Sequence, residues 1–541
     1  MIPLQQFKIY KFESGRLLES KGKISLTIDD ARKNGEIVSM GDCQLIRFVR
    51  RMTGKIFSRA ALDELLKKRE TLSRAKNSKY TRTSISAINN EIDDFLFIRE
   101  LVSVFFDNKK HYPKIETGIY INGEKYVPLM ASAGMIRRNS VLYVLESIKD
   151  DLVDLLNNGR KKEIEIVPAK FTTYFALASS SSYSVSFPSI AVVPDKIIKT
   201  TRTVDYSTFI ADGIDPVIEP REMEIECNAF DGQGLISPRL AKRWSDELEL
   251  DYVFSTAIVR AAFLKGMVCV FDFHKFADDV ADAINFKDIY GSHVDIRDVD
   301  CIISESMFKL WNAYEDTESY VRASKDNGFD FSISRVSPKE EKTHARSSYQ
   351  FIQILNLESD DDIRVLCEPT ISWINSISSG ALTETLLYSL GDTEYSKGWF
   401  NRLPCHTRAI LLNSSAAKDP YILLCEDKSI SKKKNDAKMG RLLFSGNYST
   451  LIADPFAQAA GLFGLDIYLL KDKTHYSHYW NNAGVKRVAA IRSPIVHSSE
   501  VNVFNFETGK EYTDWYGHIK TGTIIPANGI GMDCAILGGS D

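Results

Sequence analysis

The chain lacks the residue patterns that mark secreted, zinc-binding and membrane-spanning proteins. Its eight cysteines stand singly along 541 residues and form neither a Cys-x-x-Cys pair nor a Cys/His group at zinc spacing. No apolar run approaches the roughly 18 residues that cross a bilayer, and Met1 is not followed by a basic stretch and a long apolar run. We therefore expect reduced thiols, no membrane partner and a cytoplasmic location, in a bacterium or in an infected host.

An excess of charge of one sign is absent as well. Lys and Arg number 68 against 72 Asp and Glu, which gives a formal net charge of -4. Net charge therefore neither requires nor excludes a polyanionic partner, and any nucleic-acid surface must be local. With 44% hydrophobic and 11% aromatic residues the composition is that of a folded protein, long enough for about three to five packed units.

One segment does carry a local excess of positive charge. Residues 47–82 contain 12 Lys and Arg against three acidic residues, and leucines recur there at helical spacing. The pattern predicts an amphipathic helix with a basic face. That face is either simply solvated or contacts nucleic-acid phosphates, and in the second case Lys67, Lys68 and Arg69 are the expected contacts.

The rest of the chain alternates between helical and β-rich patterns. A helical period continues over residues 86–106, and an Asn-Gly pair within residues 120–127 predicts a β-hairpin. Short runs of β-formers broken by Pro, Gly and Asp dominate residues 163–306, as in a barrel. Residues 312–480 are mainly helical in pattern, and β character returns from Val488.

A turn with two glycines lies in the β-rich stretch. Gly232 and Gly234 follow Asp231 at positions where the backbone must bend or approach a neighbour closely. Such a turn is either a plain loop or part of a ligand site. It has neither the Walker lysine nor the Rossmann spacing.

Two lysines abut strongly apolar sequence in the same stretch. Lys265 precedes Gly266 at the start of an apolar strand, and Lys309 closes the next β-rich run. A lysine at a strand end either reaches out to solvent or aims its charge at a phosphate. The residues alone leave both interpretations open.

Three further segments complete the set of candidate motifs. Residues 132–138, Ser-Ala-Gly-Met-Ile-Arg-Arg, follow the predicted hairpin and have no role that we can assign. Residues 492–497 read Arg-Ser-Pro-Ile-Val-His. A small apolar run then leads into Gly-Gly-Ser and Asp541, the last residue of the sequence.

In this order, the motifs resemble those of RNA polymerases built from two double-psi β-barrels, in particular the eukaryotic-type RNA-dependent RNA polymerases and their single-subunit relatives in phages and prophages. That family has an Asp-Gly-x-Gly-x-Ile-Ser segment, a Lys-Gly strand, a Ser-Met-x-Lys segment, an Arg-x-Pro-x-x-His segment and an Asp-x-Asp-Gly-Asp loop. The chain matches the first four at residues 231–237, 265–266, 306–309 and 492–497. Of the fifth it has only Asp541.

The resemblance implies an α+β fold in five parts. These are a helical N-terminal region with the basic helix (1–110), a β-hairpin and linker (111–165), a first double-psi β-barrel with the two lysines (166–311), a mostly helical connector (312–484), and the start of a second double-psi β-barrel, cut off at the metal loop (485–541).

The resemblance also implies the chemistry. The family joins ribonucleotides with two Mg²⁺ ions, and Asp541 would be a ligand of the ion that activates the attacking hydroxyl. One carboxylate should hold Mg²⁺ only weakly. Lys265 and Lys309 would face the incoming triphosphate and the template–product backbone. Asp231, Gly232, Gly234, Gly266 and Pro494 would shape the motifs.

The fourth motif would bind the nucleotide. Arg492 resembles the arginine that reads the ribose hydroxyls, a task that suits its planar fork of donors. His497 would either contact the nucleotide or orient its own loop through one hydrogen bond.

The expected function is therefore template-directed RNA synthesis from nucleoside triphosphates, on a DNA template in preference to RNA. RNA-dependent synthesis is the alternative. We expect the chain alone to be inactive, either as a truncated polymerase or as one half of a split enzyme whose second polypeptide carries the rest of the metal loop. A hypothesis of another class is a non-catalytic nucleic-acid-binding protein.

Overall fold

The N-terminal part of the chain folds around a seven-stranded sheet, here called the N-terminal sheet. The computed structural model describes residues 4–55, 58–74, 79–208, 217–378, 400, 403–491 and 501–528. In spatial order the strands of the sheet are Lys23–Ile24, Ile119–Ile121, Glu124–Met130, Ser140–Leu145, Phe97–Phe105, Gln6–Glu13 and Ile37–Gly41. The predicted hairpin is confirmed, because Asn122 and Gly123 between its strands both have positive φ, at 52° and 87°.

The N-terminal part also contains the predicted helices, but it is not wholly helical. Its helices are Ser14–Glu19, Ile28–Lys33, Gln44–Met52, Arg59–Arg74, Lys79–Leu96, Tyr112–Ile115, Ala133–Arg137, Lys149–Asn157 and Pro168–Phe175. The helix predicted over residues 86–106 ends at Leu96, where the strand Phe97–Phe105 begins. Residues on both faces of that strand are buried, so its apolar residues do not alternate with polar ones and periodicity does not mark it as a strand.

A second seven-stranded sheet, here called the central sheet, carries the two candidate lysines. Its strands in spatial order are Tyr183–Val185, Phe331–Val336, Thr256–Ala261, Leu264–Val270, Gln233–Ile236, Cys301–Ser304 and Ile190–Val193. Gln233–Ile236 pairs parallel with Leu264–Val270 and antiparallel with Cys301–Ser304. The predicted α+β class is confirmed, although Phe331–Val336 joins the sheet from beyond residue 311, after a helix that Gly328 ends.

The remaining strands form ribbons and small sheets. The long antiparallel ribbon is Ile197–Thr208 with Val217–Asn228, and the short ones are Asn285–Lys287 with His293–Asp295 and His344–Arg346 with Leu443–Ser445. Leu451–Ala453 pairs parallel with Thr523–Ile525, and Val501–Phe506 lies between Thr474–His475 and Arg487–Ile491.

Helices dominate the second half of the chain, as predicted for residues 312–480. The α-helices described after Phe175 are Pro238–Glu247, Phe273–Phe276, Thr317–Asn327, Tyr349–Ile354, Asp360–Ser378, Cys405–Leu412, Pro420–Lys438, Pro455–Leu462, His478–Asn482 and Lys510–Tyr516. No helix in the described ranges is both long and apolar enough to span a membrane.

The central sheet is covered on both faces, by different parts of the chain. One face, with Ile236 and Val268, packs with Leu240 and Trp244 of the helix Pro238–Glu247. On the other face, the apolar residues Leu235, Cys269 and Ile302 share a core with Ile452, Phe456 and Tyr516. These last three residues belong to the C-terminal part, by which we mean the described residues from Leu451 onward. The second face is therefore the one at which the C-terminal part meets the central sheet.

Candidate active site

Lys265 and Lys309 are held next to each other by a short antiparallel bridge. The N–H of Lys265 donates to the carbonyl of Met307 over 3.1 Å, and the N–H of Lys309 donates to the carbonyl of Phe263 over 3.0 Å. Leu264 and Phe308 are the paired residues at the centre of this bridge. The two lysines, 44 positions apart in sequence, thus belong to one backbone unit.

The Asp-Gly-x-Gly turn is tied to both lysine segments. The Gly232 carbonyl accepts a hydrogen bond from the N–H of Met267 over 2.8 Å, two residues beyond Lys265. The N–H of Gly232 donates to the Ser306 hydroxyl over 2.8 Å, three residues before Lys309. The same hydroxyl bonds Asp195 over 3.0 Å. Through these hydrogen bonds the turn holds the two lysine segments side by side, and we refer to it as clamping them.

Gly234 and Gly266 are needed because neighbouring backbone comes too close for a side chain. A Cβ on Gly234 would lie 2.3 Å from the carbonyl oxygen of Ile302. A Cβ on Gly266 would lie 2.5 Å from Cγ of Met307 and 2.6 Å from the carbonyl oxygen of Gly232. These glycines allow the close approach of the strands, whereas Gly232 itself has a φ of 67° and open space around it.

Lys265 lies on the sheet face that meets the C-terminal part. Side chains alternate along a strand, so Lys265 shares its face with Met267 and Cys269. Cys269 lies in the core that includes Ile452 and Phe456. Next to these residues the Gln233 amide donates to the Ala453 carbonyl over 2.8 Å and accepts from the Ala453 N–H over 3.0 Å. Lys265 therefore projects from the same sheet face as the residues that meet the C-terminal part.

The electrostatics around Lys265 favour an anion. Burial, and then the like charges of Lys309 and Arg260, lower the pKa of Lys265, and the exposed Asp231 opposes the shift only in part. No carboxylate in the described ranges lies within 4 Å of either lysine's ammonium nitrogen. A phosphate-bearing ligand would relieve this repulsion.

The basic segment, residues 47–82, contains both exposed cations and cations that form ion pairs within the fold. The predicted helix is Arg59–Arg74, with Lys67 and Lys68 exposed and Lys68 paired with Glu64 over 2.9 Å. Several of the other cations hold the fold together, and Arg47, for example, bonds Asp330 over 3.1 Å. Part of the charge excess is therefore structural, and the nucleic-acid role of Lys67, Lys68 and Arg69 stays a prediction.

The remaining candidate residues lie outside the described ranges. They are Arg492, Pro494, His497 and Asp541. In the described ranges no three His, Cys, Asp or Glu side chains come together as a possible metal site. The proposed metal ligand Asp541 thus lies outside the described ranges, and we derive no step through a metal ion from the described residues.

Sequence reasoning missed Arg260, the third cation beside Lys265. It is the direct partner of Lys265 in the antiparallel pair of Thr256–Ala261 and Leu264–Val270. The available signal was the short turn at residues 262–263, which folds the two strands back on each other and sets positions 260 and 265 opposite.

The motifs and the geometry agree with the comparison to known families. A sequence profile of the family described as RNA dependent RNA polymerase matches residues 70–403, more than half of the chain. The chain belongs to this polymerase family. Family members generally use divalent metal ions.

Two known proteins are similar to this polymerase-family chain. The DNA-directed RNA polymerase YonO of Bacillus phage SPbeta is 28% identical over 364 residues, which cover 64% of this chain and 40% of YonO. The structure of the RNA-dependent RNA polymerase QDE-1 from Thielavia terrestris matches with a TM-score of 0.51 at 14% identity, over 80% of this chain and 46% of that one. The second likeness shows the double-psi barrel fold alone. The chain spans less than half the length of either protein.

Proposed function

We propose that the chain carries out template-directed RNA synthesis as part of an RNA polymerase, adding ribonucleotides from nucleoside triphosphates. The observation that carries the proposal is the bridge that holds Lys265 beside Lys309, clamped by the Asp-Gly-x-Gly turn, in a chain of this polymerase family. Two adjacent cations without carboxylate partners suit a polyphosphate and the charge that develops as it is transferred.

The two lysines and the fourth motif have proposed roles in binding the nucleotide and the nucleic acid. Lys265 and Lys309 bind the incoming triphosphate and the template–product backbone. The rigid bridge orients them, so little reorganisation is needed when the ligand enters. Arg492 would read the ribose hydroxyls and His497 would contact the nucleotide or orient its loop.

Asp541 is the proposed ligand for Mg²⁺. When bound, this ion would lower the pKa of the attacking hydroxyl, and a second ion carried by the nucleotide would steady the leaving pyrophosphate. Lys67, Lys68 and Arg69 are the proposed contacts to template phosphates. The proposed partners are thus the template, the RNA product and nucleoside triphosphates, in the bacterial or infected-host cytoplasm.

DNA is the template that we favour. The support is the relative YonO, whose name describes it as DNA-directed. The family description and QDE-1 support the alternative, an RNA template. Because template bases are read by pairing and the strand is held through phosphates, the same basic groove suits both.

The deciding experiment measures incorporation of labelled ribonucleotides on matched single-stranded DNA and RNA templates, with Mg²⁺. In a preparation that also contains the rest of the metal loop, we expect RNA synthesis that depends on Lys265 and Lys309 and is faster on DNA. Binding of template without synthesis under all conditions, including addition of a second polypeptide with the remaining metal loop, would favour the non-catalytic hypothesis. Full synthesis by a Lys265→Ala, Lys309→Ala double variant would contradict the proposed site.

A further inference from the structure

Arg260 faces Lys265 directly across a tight antiparallel hairpin. The register runs from Thr256 opposite Cys269 to Ala261 opposite Leu264 without a break, and it places Arg260 opposite Lys265. Directly opposed residues in an antiparallel pair point to the same face of the sheet. The guanidinium of Arg260 and the ammonium group of Lys265 are thus presented together, and the charge of Lys309 acts on the same ammonium group.

The guanidinium of Arg260 is half-buried and has few hydrogen-bond partners. Its Nη1 donates to the carbonyl of Val259 over 2.7 Å, and its Nε is buried without a hydrogen-bond partner. Burial lowers its pKa. Among the described carboxylates none forms an ion pair with it, whereas Arg47 on the neighbouring helix is paired with Asp42 and Asp330.

Such an arrangement is unfavourable in the free protein. A half-buried cation without a counterion loses hydration, and a buried N–H without an acceptor loses a hydrogen bond. Both losses are offset if an anion binds beside the guanidinium. A guanidinium fork matches two oxygens of one phosphate, which a lysine ammonium cannot do.

We propose that Arg260 is a third phosphate-binding residue of this site, so that Arg260, Lys265 and Lys309 together hold a pyrophosphate or triphosphate group. The inference rests on the proposed function, in which the two lysines face phosphates. The inference assigns different roles to the lysines and to the arginine. The two ammonium groups supply point charges, and the guanidinium fixes the orientation of one phosphate by donating to two of its oxygens.

The test is binding of inorganic pyrophosphate to the full chain, measured by titration calorimetry without metal. Arg260→Gln should weaken binding by about 10- to 100-fold, the scale for losing charge-assisted hydrogen bonds. Arg260→Lys, which keeps the charge and loses the fork, should recover only part of the affinity. Arg322→Gln, the same change on the exposed helix Thr317–Asn327, should leave affinity unchanged.

A pH series tests whether the Arg260 charge acts on Lys265 in the binding site. Because the Arg260 charge lowers the pKa of Lys265, Arg260→Gln should shift the alkaline loss of pyrophosphate binding to higher pH. Thermal unfolding of each variant checks that it is folded. If Arg260→Gln does not fold, Arg260→Lys remains the test. Wild-type affinity for pyrophosphate in that variant would show that the two-donor fork of the guanidinium is not needed, and would contradict the proposal.

The outcomes separate this inference from the function beneath it. If Lys265→Ala and Lys309→Ala weaken pyrophosphate binding but Arg260→Gln does not, the third contact is wrong and the lysine site stands. If none of the three substitutions changes affinity, the proposed lysine site is wrong as well, and with it the place of Arg260.

Discussion

The Tyr516 hydroxyl donates a hydrogen bond of 2.7 Å to the buried carboxyl of Asp454. Asp454 follows the strand Leu451–Ala453 and caps the helix Pro455–Leu462, where it accepts from the N–H of Phe456. Its Oδ2 has no partner. An acidic group thus lies buried beside the central sheet, where its ionisation affects the free energy of unfolding.

Asp454 should make stability depend on pH. Burial raises the pKa of its carboxyl from 3.8 to about 6. Between those values the unfolded chain has released a proton that the folded chain keeps, so the free energy of unfolding falls as the pH rises from about 4 to about 6, by about 3 kcal/mol. Asp454→Asn, which keeps one acceptor oxygen, should remove this part of the pH dependence. Urea unfolding at pH 4.5 and 7.5, followed by the fluorescence of the nearby Trp515, measures it.

Asp300 provides a control of opposite sign. Hydrogen bonds from Arg239 and Ser237 outweigh its burial and lower the pKa of its carboxyl. Its stabilisation is present above the ordinary pKa and is lost as the pH falls, so Asp300→Asn should weaken the protein mainly at pH 7.5. Equal pH dependence in the wild type and Asp454→Asn would contradict the assignment of Asp454.

Gly234 should not tolerate a side chain. Gly234→Ala places a Cβ 2.3 Å from the Ile302 carbonyl oxygen, and backbone cannot yield as a flexible side chain can. We expect a loss of about 1–3 kcal/mol in the free energy of unfolding. The matched control is Gly134→Ala in the helix Ala133–Arg137, where the nearest atom, Oγ of Ser132, is 3.9 Å away and a neutral or slightly stabilising effect is expected. Thermal melts of both variants give the comparison.

Much of the site's framework could be predicted from the sequence because its motifs are local. The Asn122-Gly123 turn and the neighbouring positions of Lys265 and Lys309 follow from residue type and motif order. The strand Phe97–Phe105 could not be told from a helix, because burial on both faces removes the alternation that marks a strand.

The environment of Arg260 depended only in part on local sequence. Its place opposite Lys265 is set by strand register, and its lack of a carboxylate partner is visible only when the surrounding elements are packed. The same is true of the cations in residues 47–82, where a count of charges could not separate Arg47, bound to Asp330, from the exposed Lys67.

The basic helix should contribute to nucleic-acid binding through its exposed cations. Replacing Lys67, Lys68 and Arg69 with Ala should weaken binding to a labelled oligonucleotide and flatten the slope of log affinity against log salt, because fewer counterions are released. Fluorescence anisotropy at several salt concentrations measures the slope.

A triple variant elsewhere separates this effect from net charge. Lys109, Lys110 and Lys114 are exposed in the turn after Phe97–Phe105, and their replacement with Ala removes the same total charge. The slope should then stay near that of the wild type. Equal slopes in all three proteins would assign Lys67, Lys68 and Arg69 to a solvated helix face.

The two lysines of the bridge should matter for synthesis rather than for folding. In a preparation that synthesises RNA, Lys265→Ala or Lys309→Ala should slow single-nucleotide addition by about 10²- to 10³-fold, the usual effect of deleting one contact to a developing charge. Lys287→Ala, an exposed lysine of the ribbon Asn285–Lys287, is the matched control and should be neutral. Because the Lys309 charge lowers the pKa of Lys265, the residual activity of Lys309→Ala should persist to higher pH than that of the wild type. An alkaline limb that stays in place would show that Lys265 is not the titrating group.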